Sequence, residues 1–334
     1  MTSGSFERWH ATLRKLIDGR LASLVTRTEP RDLTDGSRYV LRTGGKRIRS
    51  TLLILSCEAV GGRSRDALDA AVALEMLHNF TLVHDDVMDH APSRRGRATV
   101  HTRWGINNAI LVGDVILGMA YRTLLQSRSR DIHGVVQLFT DAFIEVCEGQ
   151  ALDVEYEQNP DISMRDYYHM IGKKTGKLFA TATQLGALLG KATPGQSEAL
   201  HHFGQRVGRA FQIQDDLLDV VAQEKHLGKR IGGDILEGKT TFLLMEALRH
   251  TNAAGSRRLR SLMSGKPGRL AKAGQRSLVQ SVAAIYEQCG ALDAARTRIR
   301  AETEAAIRAL QFLPRTNARD MLQWIAGKLV QRSR

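Results

Sequence analysis

Asp85-Asp86-Val87-Met88-Asp89 and Asp215-Asp216-Leu217-Leu218-Asp219 are two copies of one acidic signature, in a chain that otherwise reads as helix. On an α-helix the first and fifth residues of such a run lie one turn apart on the same face. Asp85 with Asp89, and Asp215 with Asp219, therefore each present two carboxylates to one point. Four unneutralised carboxylates facing one cavity repel, and hard divalent cations relieve the conflict. Mg2+ prefers oxygen ligands, keeps several waters, and is held by a few carboxylates together with substrate phosphates. The motif pair implies a phosphorylated ligand. The flanks support this over a solvated helix face, because Phe80-Thr81-Leu82-Val83 and Phe211-Gln212-Ile213-Gln214 are apolar or aromatic where a solvated face would be polar.

Composition sets the frame. The chain has 334 residues, 43% of them hydrophobic, enough for a sizeable core in one large domain or two ordinary ones. Six prolines, few aromatics and Ala/Leu-rich stretches at 67–77, 180–189 and 291–310 favour an all-α protein over a sheet protein. No Pro/Gly/Ser-rich linker divides it. Punctuation falls at Gly61-Gly62, Pro160-Asp161, Pro194-Gly195 and Gly265-Lys266-Pro267-Gly268, which predicts a single domain, 1–334, of about ten to thirteen helices. Residues 1–16 carry charge but no apolar core of signal-peptide length, and nowhere do 18 apolar residues run together, so a cytoplasmic protein without a transmembrane segment is expected. Cys57, Cys147 and Cys289 are far apart with no Cys-x-x-Cys spacing, which predicts reduced, mostly buried thiols rather than a zinc site. The formal charge of +13 is scattered, much of it through the last ninety residues, with little aromatic interleaving, so a nucleic-acid platform is not supported.

The informative basic residues lie in glycine-rich contexts near the acidic motifs. Gly44-Gly45-Lys46-Arg47-Ile48-Arg49 puts two glycines ahead of a basic turn. Lys46 and Arg49 are expected to point the same way from the helix that follows, as a pyrophosphate grip. Arg94-Arg95-Gly96 lies just past the first motif, where paired guanidiniums can bind phosphate oxygens in fork geometry. Gly228-Lys229-Arg230-Ile231-Gly232-Gly233-Asp234 and Glu237-Gly238-Lys239-Thr240-Thr241 stand in the same relation to the second motif. His78 precedes Asp85 by seven residues and Asp89 by eleven, within roughly 20° of one helical line, and is placed to contact a ligand.

Together these elements resemble the trans-isoprenyl diphosphate synthases, the family of farnesyl, geranylgeranyl and longer polyprenyl diphosphate synthases. The resemblance runs from about residue 40 to 245. It is carried by GGKRIR at 44–49, LVHDDVMD ending at Asp89, RRG at 94–96, EGQALD at 148–153, KTG at 174–176, FQIQDDLLD at 211–219 and GKRIGGDILEGKTT at 228–241. It implies a single large antiparallel helix bundle around a deep central cavity, the isoprenoid synthase fold, which agrees with the independent helical reading. It also implies a homodimer and a transient membrane contact for product release.

Residue by residue, the resemblance implies that Asp85, Asp89 and Asp215, with Asp219 in support, hold Mg2+, three ions in all, bridging an allylic diphosphate. Arg94, Lys174, Thr175, Gln212, Lys229 and Lys239 grip that diphosphate, with Lys174 and Lys239 also acting on the leaving group. Lys46, Arg49, His78 and Arg95 match the positions that bind isopentenyl diphosphate. Gln150 and Asp153 match a supporting layer. Ser50 and Ala98 stand where many members have proline, and Leu243 replaces another; none removes a charge or ligand. The implied reaction condenses isopentenyl diphosphate with dimethylallyl, geranyl or farnesyl diphosphate. Mg2+ and the lysines stabilise the departing diphosphate, and no protein nucleophile is needed.

For chain length, helical angles place Thr81 roughly 40° and Phe80 roughly 140° from the Asp85 line, favouring Thr81 as the floor of the tail pocket. The resemblance favours Phe80, since members with an aromatic residue five before the motif stop near C20. The expected product is C20, with a longer-chain synthase as the alternative. A class I terpene cyclase is disfavoured by the aspartate-rich second motif and the second diphosphate grip. A non-catalytic partner subunit would have no need of such mutually repelling charges.

Overall fold

The computed structural model describes residues 3–25, 29–157, 159, 161–221, 232–263 and 271–330. Sixteen α-helical segments lie within these residues, with one two-stranded hairpin as the only sheet among them. That exceeds the ten to thirteen helices expected because long runs are subdivided. Gly105, at φ 84°, separates α5 (Val100–Trp104) from α6 (Ile106–Leu124), and a π-helical turn at Gly172–Gly176 separates α8 (Met164–Ile171) from α9 (Lys177–Leu189). No described helix is long and apolar enough to cross a membrane.

The chain divides into two compact units. The first comprises Met1–Phe143, Leu178–Gly204 and Ala309–Ile325. It holds α1 (Ser3–Leu24), α2 (Arg31–Leu41), α3 (Ile48–Ala59) and α4 (Ser64–Met88), the hairpin, α5 and α6, and most of α9. Its centre is α4, where Ala70, Ala71, Val72, Ala73, Leu74 and Leu77 are all fully buried. A helix apolar on every side must be enclosed, and each large side chain so buried contributes roughly 1.5–3 kcal/mol. α6 supplies the largest share of that enclosure and α3 the next.

The second unit comprises Ile144–Lys177, Gln205–Arg308 and Ala326–Arg334. It holds the C-terminal part of α7 (Ile132–Tyr156), α8, and most of α10 (Pro194–Val221). The rest is α11 (Gly233–Glu237), α12 (Phe242–His250), α13 (Ala253–Met263), α14 (Lys272–Gln288) and α15 (Ala291–Ala309). α16 (Asn317–Val330) belongs mostly to the first unit. The core of the second unit gathers Tyr167, Ile213, Leu217, Leu243, Val282 and Ile299.

Pro194-Gly195 opens α10 rather than lying between helices. Thr193 Oγ1 accepts from the Gln196 N–H at 3.3 Å while Gln196 Oε1 accepts from the Thr193 N–H at 2.9 Å. This reciprocal cap leaves Pro194 at the first helical position, where its missing N–H costs nothing. Gly265-Lys266-Pro267-Gly268 lies outside the described residues. The thiols differ from expectation as well: Cys57 is buried, Cys147 is exposed and Cys289 is intermediate. Burial and the nearby Asp66 and Glu58 carboxylates push the Cys57 thiol up to about 12.

Candidate active site

The first acidic motif ends α4: Asp85 lies on its last turn and Asp89 is the C-cap residue. Carboxylates at a helix C-terminus face the negative end of the helix dipole, a cost of about 0.3–1 kcal/mol each, so helix stability does not explain them. Asp85 and Asp89 are half-buried, whereas Asp86 between them is buried and paired with Arg94 Nε at 2.6 Å. Burial raises the Asp86 carboxyl above its ordinary range, with the Arg94 guanidinium opposing that shift. Arg94, expected at the allylic diphosphate, is thus engaged with Asp86 in the structure.

The glycine-rich loop precedes α3 and meets the hairpin turn through the Gly44 carbonyl. Helix α3 begins only at Ile48, and its N-cap residue Arg47 is left-handed at φ 48°. Lys46 therefore precedes the helix, and the expectation that Lys46 and Arg49 share it is corrected. A non-glycine residue in that conformation costs about 1–2 kcal/mol. Arg47 offsets this by burying its guanidinium between Asp18 and Glu75, at 2.8 Å each, with the Leu41 carbonyl at 3.3 Å.

Arg49 Nη1 lies 3.1 Å from His78 Nε2, with its guanidinium 4.5 Å from the Phe179 ring centre. Hairpin strands β1 (Ser93–Arg94) and β2 (Arg97–Ala98) are joined through Arg95 and Gly96, both left-handed. That turn sends Arg95 Nη1 to the Gly44 carbonyl at 2.9 Å. His78 is held well below its usual range by burial first, then by Arg49, Arg95, Arg94 and Arg47. A neutral imidazole results, able to accept from Arg49. The structure therefore brings Arg49, His78 and Arg95 into one basic cluster beside the loop that carries Lys46. Arg47 and Glu75 were missed by sequence reasoning. Their signal was Glu75, the only charge in the run 70–77.

The second unit carries the remaining residues. Along α7 and the segment after α8, Lys177 pairs with Glu145 at 2.5 Å, Lys173 with Glu148 and Lys174 with Asp153. The π-helical turn places Thr175 Oγ1 to donate to Gln212 Oε1 at 2.6 Å, and Gln212 Nε2 donates to Asp216 Oδ1 at 2.8 Å. Gly149 makes this packing possible, since a Cβ there would lie 2.3 Å from the Lys174 backbone nitrogen. Gly149→Ala is expected to push the turn away from α7 and cost 10-fold or more in kcat/KM, roughly the penalty of ångström-scale misplacement. Steady-state kinetics beside thermal melts check this, and full activity would show that the turn's position is immaterial.

Within the second motif Asp215 is exposed, while Asp216 and Asp219 are buried. Asp219 Oδ2 accepts from the Asp234 N–H at 3.0 Å and its carbonyl from the Gly232 N–H at 2.8 Å. One Asp219 oxygen is therefore already used in holding the entry to α11. Lys239 follows the left-handed Gly238 and pairs with Glu237 at 2.7 Å. Lys229 lies outside the described residues.

Asp216 accepts from the Tyr167 hydroxyl and the Phe242 N–H, each at 2.8 Å, as well as from Gln212. Burial first, then the Asp234 carboxylate, push it up to about 7. A carboxyl whose folded value lies above its unfolded one contributes stability that is full below about pH 4 and lost as pH rises through about 7. Asp216→Asn removes that titration. The difference in Tm between pH 5 and pH 8, measured in EDTA, should shrink relative to wild type; an unchanged difference would place the titration elsewhere.

Among the described residues no group of three or more His, Cys, Asp or Glu side chains forms a ready-made metal site. The donors offered by the motifs are carboxylate oxygens at Asp85, Asp89 and Asp215, partly open to solvent. Taken motif by motif, such oxygen donors fit a hard divalent cation that completes its shell with water and phosphate oxygens, and do not fit a soft or nitrogen-seeking metal.

The polyprenyl synthetase family model matches residues 30–278. The chain belongs to the polyprenyl synthetase family. A short chain isoprenyl diphosphate synthase from Methanothermobacter thermautotrophicus is 36% identical over 319 residues, 95% of this chain and 96% of that protein. The crystal structure of a geranylgeranyl pyrophosphate synthetase from Pyrococcus horikoshii superposes with a TM-score of 0.91 at 34% identity, covering 98% and 100% of the two chains. A polyprenyl synthase from Caulobacter crescentus, complexed with calcium and isoprenyl diphosphate, superposes at 0.88 with 27% identity over the full length of both. The synthase thus has the all-α isoprenoid synthase fold and is a trans-prenyltransferase whose substrates are isopentenyl and allylic diphosphates.

Proposed function

We propose that this synthase makes a C20 all-trans prenyl diphosphate, using Mg2+ held by Asp85, Asp89 and Asp215 with Asp219 in support, three ions in all. When bound, the metal neutralises the diphosphate and stabilises the charge that develops as it departs. Lys174, Thr175, Gln212, Lys239 and Arg94, together with Lys229, orient the allylic diphosphate so that its carbon–oxygen bond breaks toward the lysines. Lys46, Arg49, His78 and Arg95 hold isopentenyl diphosphate with its double bond set to attack the allylic cation. The departing diphosphate takes the final proton. The apolar residues flanking each motif keep water from the cation.

The observation that carries this reading is the basic cluster around His78. A neutral histidine beside Arg49, with Arg95 on the Gly44 carbonyl of the same loop, suits an anionic group, and it is additional to the lysine set near the second motif. A terpene cyclase, handling one diphosphate, has no use for both. We also propose that residues 1–334 act as one catalytic domain, since the family model spans residues 30–278 without a break.

The C20 assignment rests on Phe80. It is buried, its ring centre lies 4.5 Å from that of His84, and it meets Phe143 edge-on at 5.5 Å. Thr81 is also buried, with its hydroxyl donating to the His78 carbonyl at 2.9 Å. Incubating the protein with Mg2+, radiolabelled isopentenyl diphosphate and each allylic primer, then separating the products, should give C20 as the main species. A ladder ending at C30 or beyond overturns the assignment.

We further propose a cytoplasmic homodimer formed through α6, which leaves Ile106, Ile110 and Leu111 between 41% and 51% exposed on successive turns. Such a patch suits a self-complementary interface between two copies. A monomer in sedimentation equilibrium at micromolar protein contradicts it.

A further inference from the structure

Glu75 lies inside the apolar stretch of α4 and is 3% exposed, so its charge needs a reason. Both carboxylate oxygens are engaged. Oε1 accepts from Arg47 Nη1 at 2.8 Å, and Oε2 lies 2.9 Å from Ser50 Oγ, which is equally close to the Ala71 carbonyl. Arg47 in turn reaches Asp18 on α1 and the Leu41 carbonyl at the end of α2. The left-handed turn at residue 47 is therefore tied to α1, α2 and α4 at once.

The residues on either side of that turn are the ones assigned to isopentenyl diphosphate. Lys46 precedes it, Arg49 follows it, and Arg95 is bonded to the Gly44 carbonyl at the start of the same loop. Glu75 is three residues before His78 on α4, so the anchor and the Arg49 partner lie on neighbouring positions of one helix face. Buried ion pairs contribute little net stability compared with apolar residues of similar volume, so stability alone does not account for Glu75. Ser50 strengthens the point. Its hydroxyl lies 2.9 Å from Glu75 Oε2, a second tie between the start of α3 and α4.

We propose that Glu75, with Arg47 and Ser50, is a positioning assembly that sets the geometry of the isopentenyl diphosphate grip without touching substrate. The proposal rests on the reading that Lys46, Arg49, His78 and Arg95 hold that substrate.

The test is steady-state kinetics of the full-length protein with Mg2+, varying each substrate at saturating concentration of the other. Glu75→Gln keeps the shape and removes the charge. It should raise the KM for isopentenyl diphosphate about tenfold or more and leave that for the allylic diphosphate within about twofold, with Glu75→Asp recovering part of the loss. Ser50→Ala is the milder variant and should show the same bias at about threefold, so the test survives if Glu75→Gln fails to fold.

Lys46→Ala and Lys239→Ala are run beside them, the first expected to weaken isopentenyl diphosphate and the second the allylic substrate. If Lys46→Ala shows no such bias, the grip assignment fails and takes the proposal with it. If Lys46→Ala is selective but Glu75→Gln and Ser50→Ala change neither KM, or raise both equally, the grip stands and the positioning role is overturned.

Discussion

Asp85→Ala and Asp215→Ala are each expected to lower kcat by about 10²–10³-fold or more, the scale seen when one group that stabilises developing charge is removed. Each is the first residue of its motif and is open enough to reach a ligand, half-buried for Asp85 and exposed for Asp215. Asp86 and Asp216, by contrast, are buried and tied to Arg94 and to Tyr167 and the Phe242 N–H. The folded state should therefore survive both changes. Rapid-quench or steady-state assays, with circular dichroism to confirm folding, decide the matter. Retention of more than about a tenth of wild-type kcat by either variant would remove that aspartate from the machinery. Asp216→Ala is the informative contrast. It strands the Tyr167 hydroxyl, the Phe242 N–H and Gln212, so it should fail first by unfolding, at about 1–3 kcal/mol for each buried group left unpaired.

Phe80→Ala is expected to move the product from C20 toward C25 and beyond while primer ionisation stays largely intact. The ring is 7% exposed and packs edge-on against Phe143, so its removal leaves apolar volume where it met α7. Apolar volume decides how many isoprene units fit. Core Phe→Ala changes cost about 3–5 kcal/mol, so Phe80→Leu serves as a gentler companion that opens less space. Chromatography of labelled products from the folded fraction reads the outcome. An unchanged ladder from active Phe80→Ala would put the floor at Thr81 or deeper, on the helix that carries Phe143.

The helices and both motifs were legible because their signals are local. Composition and the 67–77 stretch predict α4, and the spacing of each motif follows from helical geometry. The same geometry explains the second aspartate of each motif. One position on from Asp85 and Asp215, it turns about 100° away, and the structure buries both Asp86 and Asp216 against partners in their own units. Asp219, expected in a supporting role, has one carboxylate oxygen held by the Asp234 N–H, and that backbone arrives from a later loop that motif spacing does not announce.

What stayed hidden depended on tertiary contact. The left-handed turn at Arg47 is stabilised by Asp18 and Glu75, 29 and 28 residues away in sequence, and no local propensity announces it. The π-helical turn at 172–176 owes its place to the close approach of Gly149, which the EGQALD motif shows as a letter but not as a contact. Between Phe80 and Thr81, helical angle and resemblance disagree, and both side chains are buried.

The central claim is that two aspartate motifs make this chain a divalent-cation-dependent prenyltransferase. Its most direct test is incorporation of labelled isopentenyl diphosphate into chain-extended product, with farnesyl diphosphate as primer, by the purified protein across a Mg2+ titration and in excess EDTA. The account predicts saturable activation by Mg2+ and loss of product in EDTA, restored when Mg2+ is returned. Undiminished turnover in EDTA would contradict it.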